Sequence, residues 1–463
     1  DPAGFSLKID AKNVPVDSML RSALGKEHRS LWDDFSPTGR IDAKIDLTKK
    51  DDQPLNWRVL IELLKNSANY KGISPVTALT GQVTISQGQT LLKGITGVCE
   101  GRFPLRLDAA IDHDPQKTTI GFKNFQAQRI AVTEKLLSVL GENGGSVLKC
   151  EPGGAIRCSL SNVKIELTPE KLYGWELEGK VELDQVRMDF FDPSAPINLE
   201  YVGRLSQLTA DSKFAVEGSL NVQTFKWNDR RMENFRAYLT KTINEPIMIV
   251  DPFRTQYANG EILGMGKIQF IGPKTTYGLQ LTLDNIDAAD ALGLDVTENT
   301  ISGKMSGEIF LVGTFGDKSN QVSGGILHVF GAEVLKVPMM AQIHRSVSKE
   351  PPNLASFHDI TAEFSLEKYL LKIQHVEMVG PAISLIGQGH INISNDRIKV
   401  DLISGTPKKL QNLPVLPELM QGAAQEISEI EIRGTIQKPT ISAKPLKNIS
   451  DTLKTFFDGK AVK

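Results

Sequence analysis

The residues best suited to proton transfer or metal binding are seven histidines, His28, His113, His328, His344, His358, His375 and His390, scattered along the chain. A transition-metal site needs ligands at short fixed spacings, and no histidine pair has one. His328, His375 and His390 fall inside runs that alternate apolar and polar residues, where a hydrogen-bonded strand histidine is the simpler reading. Asp112-His113-Asp114 groups three titratable side chains. It precedes Pro115 in a hairpin-turn context that selects Asp and Pro on conformational grounds alone. Asp284, Asp287, Asp290 and Asp295 lack the glycine and the terminal glutamate of a calcium loop. Gly264-Met265-Gly266 has no third glycine and opens no helix, so it is no dinucleotide fingerprint. Ile271-Gly272-Pro273-Lys274-Thr275 has the tail of a phosphate loop without its first glycine. No Gly-x-Ser-x-Gly elbow occurs. No motif commits the chain to catalysis, and no catalytic residue, metal site or cofactor is expected.

The three cysteines, Cys99, Cys150 and Cys158, are too few for a disulfide scaffold. Cys150 and Cys158 flank a turn, Glu-Pro-Gly-Gly-Ala-Ile-Arg. A cross-hairpin disulfide fits an oxidising compartment, and two unbridged thiols fit equally. Nothing near Cys99 marks a thiolate nucleophile.

Composition narrows the class. A formal charge of −2 over 463 residues argues against a nucleic-acid binder, which carries a basic excess or stripe. With 40% hydrophobic and 23% charged residues the chain is neither disordered nor an integral membrane bundle. No apolar run approaches the length of a membrane-spanning helix. The chain opens Asp1-Pro2-Ala3-Gly4, with no initiator Met and no signal peptide. That reads as a mature exported protein or as a piece of a longer one.

The elements that must carry any site are strands. Residues 5–11, 79–86, 277–283, 308–312, 383–387, 390–393 and 398–402 alternate apolar and polar, which gives each strand one apolar and one polar face. Glycine or Asn/Asp turn signals separate them, as consecutive antiparallel strands require. Gly324-Gly325, Gly387-Gln388-Gly389 and Gly434 are read as bulges or bends at or near strand starts. Residues 5–20 (FSLKIDAKNVPVDSML) align without a gap on residues 277–292 (YGLQLTLDNIDAADAL). Asn13 falls on Asn285, Val14 on Ile286 and Leu20 on Leu292. A looser copy spans 121–136, and a glycine-led strand follows the first copy at Gly39 and the last at Gly303. Each copy reads as strand, turn and short amphipathic helix. Helices are expected at residues 17–24, 55–66, 133–140, 336–347, 414–427 and 446–457. In the last, Leu446, Ile449, Leu453, Phe456 and Phe457 share one face. The fold class is therefore mainly β: an elongated, curled antiparallel sheet, an open trough or solenoid-like, with a few short amphipathic helices. The expected divisions are 1–145, a repeat unit; 146–276, a middle β region; 277–445, a C-terminal β region; and 446–463, a helix and tail.

The order of motifs in the C-terminal half is more specific than any one of them. Residues 301–309 (ISGKMSGEI) lead to Leu311-Val312-Gly313-Thr314-Phe315, then to 322–329 (VSGGILHV) and a start of helix at Lys336-Val337-Pro338. Next come 387–393 (GQGHINI), 398–402 (IKVDL), 413–417 (LPVLP) and 430–436 (IEIRGTI), closed by Lys438-Pro439-Thr440. This order resembles the C-terminal domain of the AsmA-like envelope proteins, which include TamB-type and YhdP-type members. It covers residues 277–445 well, and the repeat extends it more weakly to 5–136. The resemblance implies a periplasmic, non-enzymatic protein of a diderm bacterium, anchored in the inner membrane by a segment absent from this sequence. It also implies curled sheets with an apolar groove that serve phospholipid transport or assembly at the outer membrane.

Alternation supplies the face such a groove needs, and acyl chains would fill it. The candidate groove residues are Leu7, Ile9, Val83, Ile85, Leu279, Leu281, Leu283, Ile309, Leu311, Phe364, Leu366, Ile383, Leu385, Ile391, Ile393, Val400 and Leu402. Each would equally serve as ordinary core beneath a helix or second sheet. The partners expected are phospholipid or another acyl lipid, with envelope proteins or further copies of the chain, and no nucleic acid. The competing reading is a structural envelope scaffold whose apolar face is fully packed and whose surface binds proteins. A carbohydrate-binding repeat would need aromatic platforms. With 6% aromatic residues and four well-separated tryptophans, the chain does not supply them.

Overall fold

In a computed structural model the described residues are 4–50, 53–70, 75–99, 101–114, 116–131, 154–168, 172–186, 197–207, 214–227, 230–271, 274–292, 302–315, 317–331, 343, 357–380, 383–405, 428–435 and 438–445. They form 23 strands of one antiparallel sheet and three short helices. The chain divides into two compact units, Asp1–Met248 and Ile249–Lys463.

In the first unit β1 (Phe5–Pro15) is followed by α1 (Ser18–Ala23), α2 (Lys26–Phe35) and β2 (Arg40–Lys49). Then come β3 (Asn56–Asn69), β4 (Pro75–Ser86), β5 (Gln89–Cys99), β6 (Phe103–His113) and β7 (Thr118–Ala131). The unit continues with β8 (Ala155–Leu167), β9 (Leu172–Val186), β10 (Ile197–Gln207), β11 (Ala215–Trp227) and β12 (Arg230–Lys241). Each of these strands pairs antiparallel with the next. Among the described residues β1 pairs only with β2, so one edge of this unit is open.

In the second unit, after β13 (Ile247–Tyr257), come β14 (Gly260–Ile271), β15 (Lys274–Asp287), α3 (Ala288–Leu292), β16 (Lys304–Thr314) and β17 (Asp317–Phe330). The remaining strands are β18 (Asp359–Glu367), β19 (Leu370–Val379), β20 (Ser384–Asn392), β21 (Arg397–Gly405), β22 (Ser428–Thr435) and β23 (Pro439–Pro445). From β14 to β23 each strand again pairs antiparallel with the next, and β23 pairs only with β22 among the described residues. Among the described residues the sheet is not closed into a barrel.

The repeat is visible at single-residue resolution. β1 and β15 both carry a bulge, between Ala11 and Val14 and between Leu283 and Ile286. Asn13 and Asn285 sit in them with φ of 56° and 54°. Asparagine tolerates this left-handed conformation better than other side chains. The Asn13 amide donates to Asp42 Oδ1 and the Asn285 amide to Ser306 Oγ. Asp42 and Ser306 each stand three residues after a glycine with φ of 117° (Gly39) or 123° (Gly303). The amides of Val16 and Ala288 donate to the carbonyls of those same two glycines. After the bulge, Asp17 Oδ1 caps α1 by accepting from Met19 and Leu20, and Asp287 Oδ1 accepts from Ala289 and Asp290 at α3.

Two expectations are corrected. Residues 56–66 lie in strand β3, not in a helix. Trp57, Val59, Ile61 and Leu63 alternate there, and each finds an apolar or glycine partner on a neighbouring strand. Leu60 and Leu64 give the same stretch a false helical period. Gly324-Gly325 and Gly387-Gln388-Gly389 lie inside β17 and β20, not at strand starts, and the Leu402 and Val400 side chains lie over Gly387 and Gly389. The expected helices at 133–140, 414–427 and 446–457, and that at 336–347 apart from Ile343, lie outside the described residues.

Candidate functional site

Residues directly opposed across an antiparallel pair lie on the same face of the sheet, so the register traces each face strand by strand. In the first unit one row runs Ala11, Ala43, Ile61, Val83, Leu92, Ala109, Phe122, Val163, Leu177, Leu205 and Val216, apolar from β1 to β11. The adjacent row runs Ile9, Ile45, Val59, Ile85, Thr90, Ile111, Ile120, Ile165 and Trp175. Leu7 begins a third row, with Leu47 and Trp57. The four candidates of this unit, Leu7, Ile9, Val83 and Ile85, therefore share one apolar face. Leu47, Trp57, Val59, Ile61 and Leu92 belong to it too, and the helical reading of residues 55–66 concealed the three on β3. Period-two counting over Trp57–Leu63 would have found them.

The second unit repeats the pattern. One row runs Gly264, Leu281, Ile309, Gly325, Phe364, Ile373, Gly389, Val400, Ile432 and Ile441. A second runs Leu279, Leu311, Ser323, Leu366, Leu371, Ile391 and Ile398. A third holds Leu283, Gly307, Leu327, Ala362, Val376, Gly387, Leu402 and Ile430. Leu385 lies opposite Met378 in a fourth. Ile383, just before β20, packs against the same cluster. Ile393 lies just past β20, exposed, with its amide donating to the Tyr369 carbonyl.

The two ends of this set differ in what covers them. Leu385 and Leu402 are 1% and 2% exposed, in a cluster with Val400, Ile430, Ile432, Ile343 and Phe357. Leu283 and Leu311 are also buried. Leu283, Leu311, Leu385, Val400 and Leu402 are thus packed as core. In the first unit Leu7 and Ile9 are 47% and 42% exposed at the open edge, beside exposed Phe5. Val83 and Ile85 are half-buried. The solvent-reachable part of the apolar face in the first unit includes its β1 edge.

The opposite face of the first unit carries ion pairs beside exposed Leu91, Val202 and Tyr238. Lys180 bridges Glu182 and Glu200, Arg204 meets Glu176, and Glu166 receives both Lys117 and Lys164. The Lys117 hydrogen bond, seconded by Lys164, holds the Glu166 carboxyl below the usual glutamate range. Such bridges on a solvated face are worth about 0–1 kcal/mol each, so they define which face meets water more than they stabilise it. The second unit also exposes apolar side chains on its opposite face. Leu263, Met265, Phe310, Val312, Val322 and Ile326 are exposed on the face opposite its apolar rows.

Cys158 is a free thiol in the cluster with Cys99, Leu105 and Ala127, where burial pushes its pKa up to about 11. Of the two readings of Cys150 and Cys158, the unbridged one describes Cys158, and Cys150 lies outside the described residues. His328 Nδ1 lies 3.0 Å from Thr361 Oγ1, a strand histidine paired across β17 and β18. No group of three or more His, Cys, Asp or Glu that could hold a metal occurs among the described residues. No helix among them is long and apolar enough to cross a membrane.

One cleft, about 420 Å³, lies at the strand ends of β6 to β9, lined by Phe103, Gln128, Arg129, Ala155, Arg157 and Asp184. Phe103 also packs against the Cys99, Leu105 and Ala127 cluster, which places the cleft at the margin of the apolar face. Comparison with protein-family models, with curated proteins and with solved structures returned no match for this chain.

Proposed function

We propose that the chain is a non-enzymatic lipid-binding protein of the AsmA-like kind, whose apolar β face holds acyl chains in the periplasm of a diderm bacterium. The observation that carries this reading is the row of apolar side chains unbroken from β1 to β11, with Leu7 and Ile9 exposed at its edge. Acyl chains gain about 0.8 kcal/mol per buried CH₂ on such a surface and need no directional partner. Equivalent apolar positions from strand to strand would let a tail slide without a single strong hold. Membrane attachment would come from a segment outside this sequence, and phospholipid movement toward the outer membrane is the task that fits.

The test uses Leu7→Asp with Ile9→Asp, because both positions are solvent-reachable and a carboxylate there leaves the core intact. The buried Leu311 would confound the measurement, since an unpaired charge in the core unfolds the protein. Lipid extracted from wild-type protein purified without detergent, and lost from a variant that still melts cooperatively, supports the proposal. A wild-type protein with no bound lipid after incubation with phospholipid vesicles sinks it.

The exposed patch of Met265, Phe310, Val312 and Ile326 on the other face of the second unit favours a second reading, an envelope scaffold that docks proteins. Phe310→Ser with Val312→Ser would then lower affinity for a partner while leaving lipid content unchanged.

A further inference from the structure

The β1 edge has an internal precedent in the repeat. β15, which aligns with β1 without a gap, pairs with β16 on one side and with β14 on the other. β2 stands to β1 as β16 stands to β15, with a matching bulge, so the open edge of β1 is the one that β14 occupies on β15. Among the described residues β1 pairs only with β2, and Phe5 to Asp10 are all exposed. Unpaired N–H and C=O groups along such an edge are a template for another strand. The edge strand β23 of the second unit is guarded: it is 7 residues long and has Pro439 and Pro445 at its two ends, which cannot donate to a ladder. β1 has no proline before Pro15. The two repeat copies also differ in charge. Where β15 carries Gln280 and Thr282, β1 carries Lys8 and Asp10.

We propose that the β1 edge pairs antiparallel with the β1 edge of a second copy of this chain, Ile9 opposite Ile9. In that register Lys8 of each copy faces Asp10 of the other, and Leu7 faces Ala11. Opposed residues share a face, so the apolar rows that begin at Ile9 and Ala11 continue from one copy into the other. On the polar face Lys8 lies opposite Asp46 and Asp10 opposite Lys44 within one copy. The joined row runs Arg58, Asp46 and Lys8, then Asp10 and Lys44 of the second copy, alternating in sign throughout. A one-residue slip would set apolar side chains opposite polar ones. A two-residue slip would centre the pair on Lys8 or on Asp10 and set like charges opposite each other, which is unfavourable. The edge is thus complementary to itself in one register, and such an isologous contact closes after two copies. The inference stands on the edge strand and holds whatever the apolar face binds.

The experiment is sedimentation velocity over a concentration series on the full chain purified without detergent. Four samples are compared: wild type, Lys8→Asp, Asp10→Lys, and an equimolar mixture of the two variants. The expected result is a reversible dimer for wild type. Each variant alone should dimerise about tenfold more weakly or worse, because two attractive cross-strand pairs become two repulsive ones. The mixture should regain the dimer, since one variant then presents carboxylates at both positions where the other presents ammonium groups. A folding defect cannot produce that rescue, and both positions are exposed. A wild-type chain that stays monomeric up to its solubility limit overturns the proposal. So do variants that dimerise alone as tightly as wild type, and a mixture that associates no better than its components. Growth with concentration past the dimer into open-ended chains also overturns it, in favour of a head-to-tail contact between β1 and β23.

Discussion

Gly39 and Gly303 fix the two recognisable copies of the repeat, because each adopts a φ that a side chain resists and offers its carbonyl to the returning chain. A Cβ on Gly39 would come within 2.8 Å of Asn66 Nδ2 and 2.9 Å of its Cα. Gly39→Ala should therefore cost about 1–3 kcal/mol and lower the unfolding midpoint. A neutral result would mean the turn is not held as described. Glu166 sets a pH dependence. Its carboxyl is held down by Lys117 and then Lys164, so its contribution is full above about pH 4.5, the ordinary glutamate range. That contribution fades as the pH falls through the lowered folded value. Melts of Glu166→Gln against wild type should differ at pH 7 and converge in acid, and divergence in acid would contradict the ion-pair account. Cys158, protonated up to about pH 11, should resist iodoacetamide at pH 8 until the protein unfolds, as read by peptide mass spectrometry. The residue scale is where the sequence was least legible. For Cys150 and Cys158 a bridged turn and two unbridged thiols fitted equally, because spacing reports only chain separation. It cannot report that Cys158 faces Ala127 inside an apolar cluster.

Strand β3 shows why element type is hard to read when both periods are satisfied. Trp57, Val59, Ile61 and Leu63 fit a strand, and Trp57, Leu60, Leu63 and Leu64 fit a helix. The neighbours decide, since β2 and β4 present Ile45, Ala43, Ile85 and Val83 opposite Val59 and Ile61. Tertiary context of this kind is absent from any single window of sequence. The strand makes a sharp prediction. Leu63→Lys, on the apolar face, should cost about 2 kcal/mol or more, and Leu64→Lys, exposed on the other face, should be nearly neutral. Comparable losses at both positions would point back to one helical face. Elsewhere the elements were legible. The alternating runs at 79–86, 277–283 and 398–402 all lie within strands, and the Asn13 and Asn285 turns recur as paired bulges. A bulge needs a residue tolerant of left-handed φ and a captured amide, and both leave a mark in the sequence.

At the scale of the whole chain, the mainly β antiparallel architecture follows from repeated alternation, because each strand carries its own apolar face. Within each unit the register aligns those faces into continuous rows, and so the candidate residues were findable by parity alone. What covers the rows was not legible. Ile343 and Phe357 bury the face at Leu385 and Leu402, while among the described residues nothing comparable closes over Leu7 and Ile9. Coverage depends on long-range packing, which parity does not encode. Under the proposed function, the open part of the face in the first unit holds acyl chains. Native mass spectrometry with lipid extraction, on protein purified without detergent, tests it most directly. The expected result is phospholipid at one or more copies per chain, lost in Leu7→Asp/Ile9→Asp while the fold persists. A folded, monodisperse protein that stays lipid-free after incubation with phospholipid vesicles would contradict it.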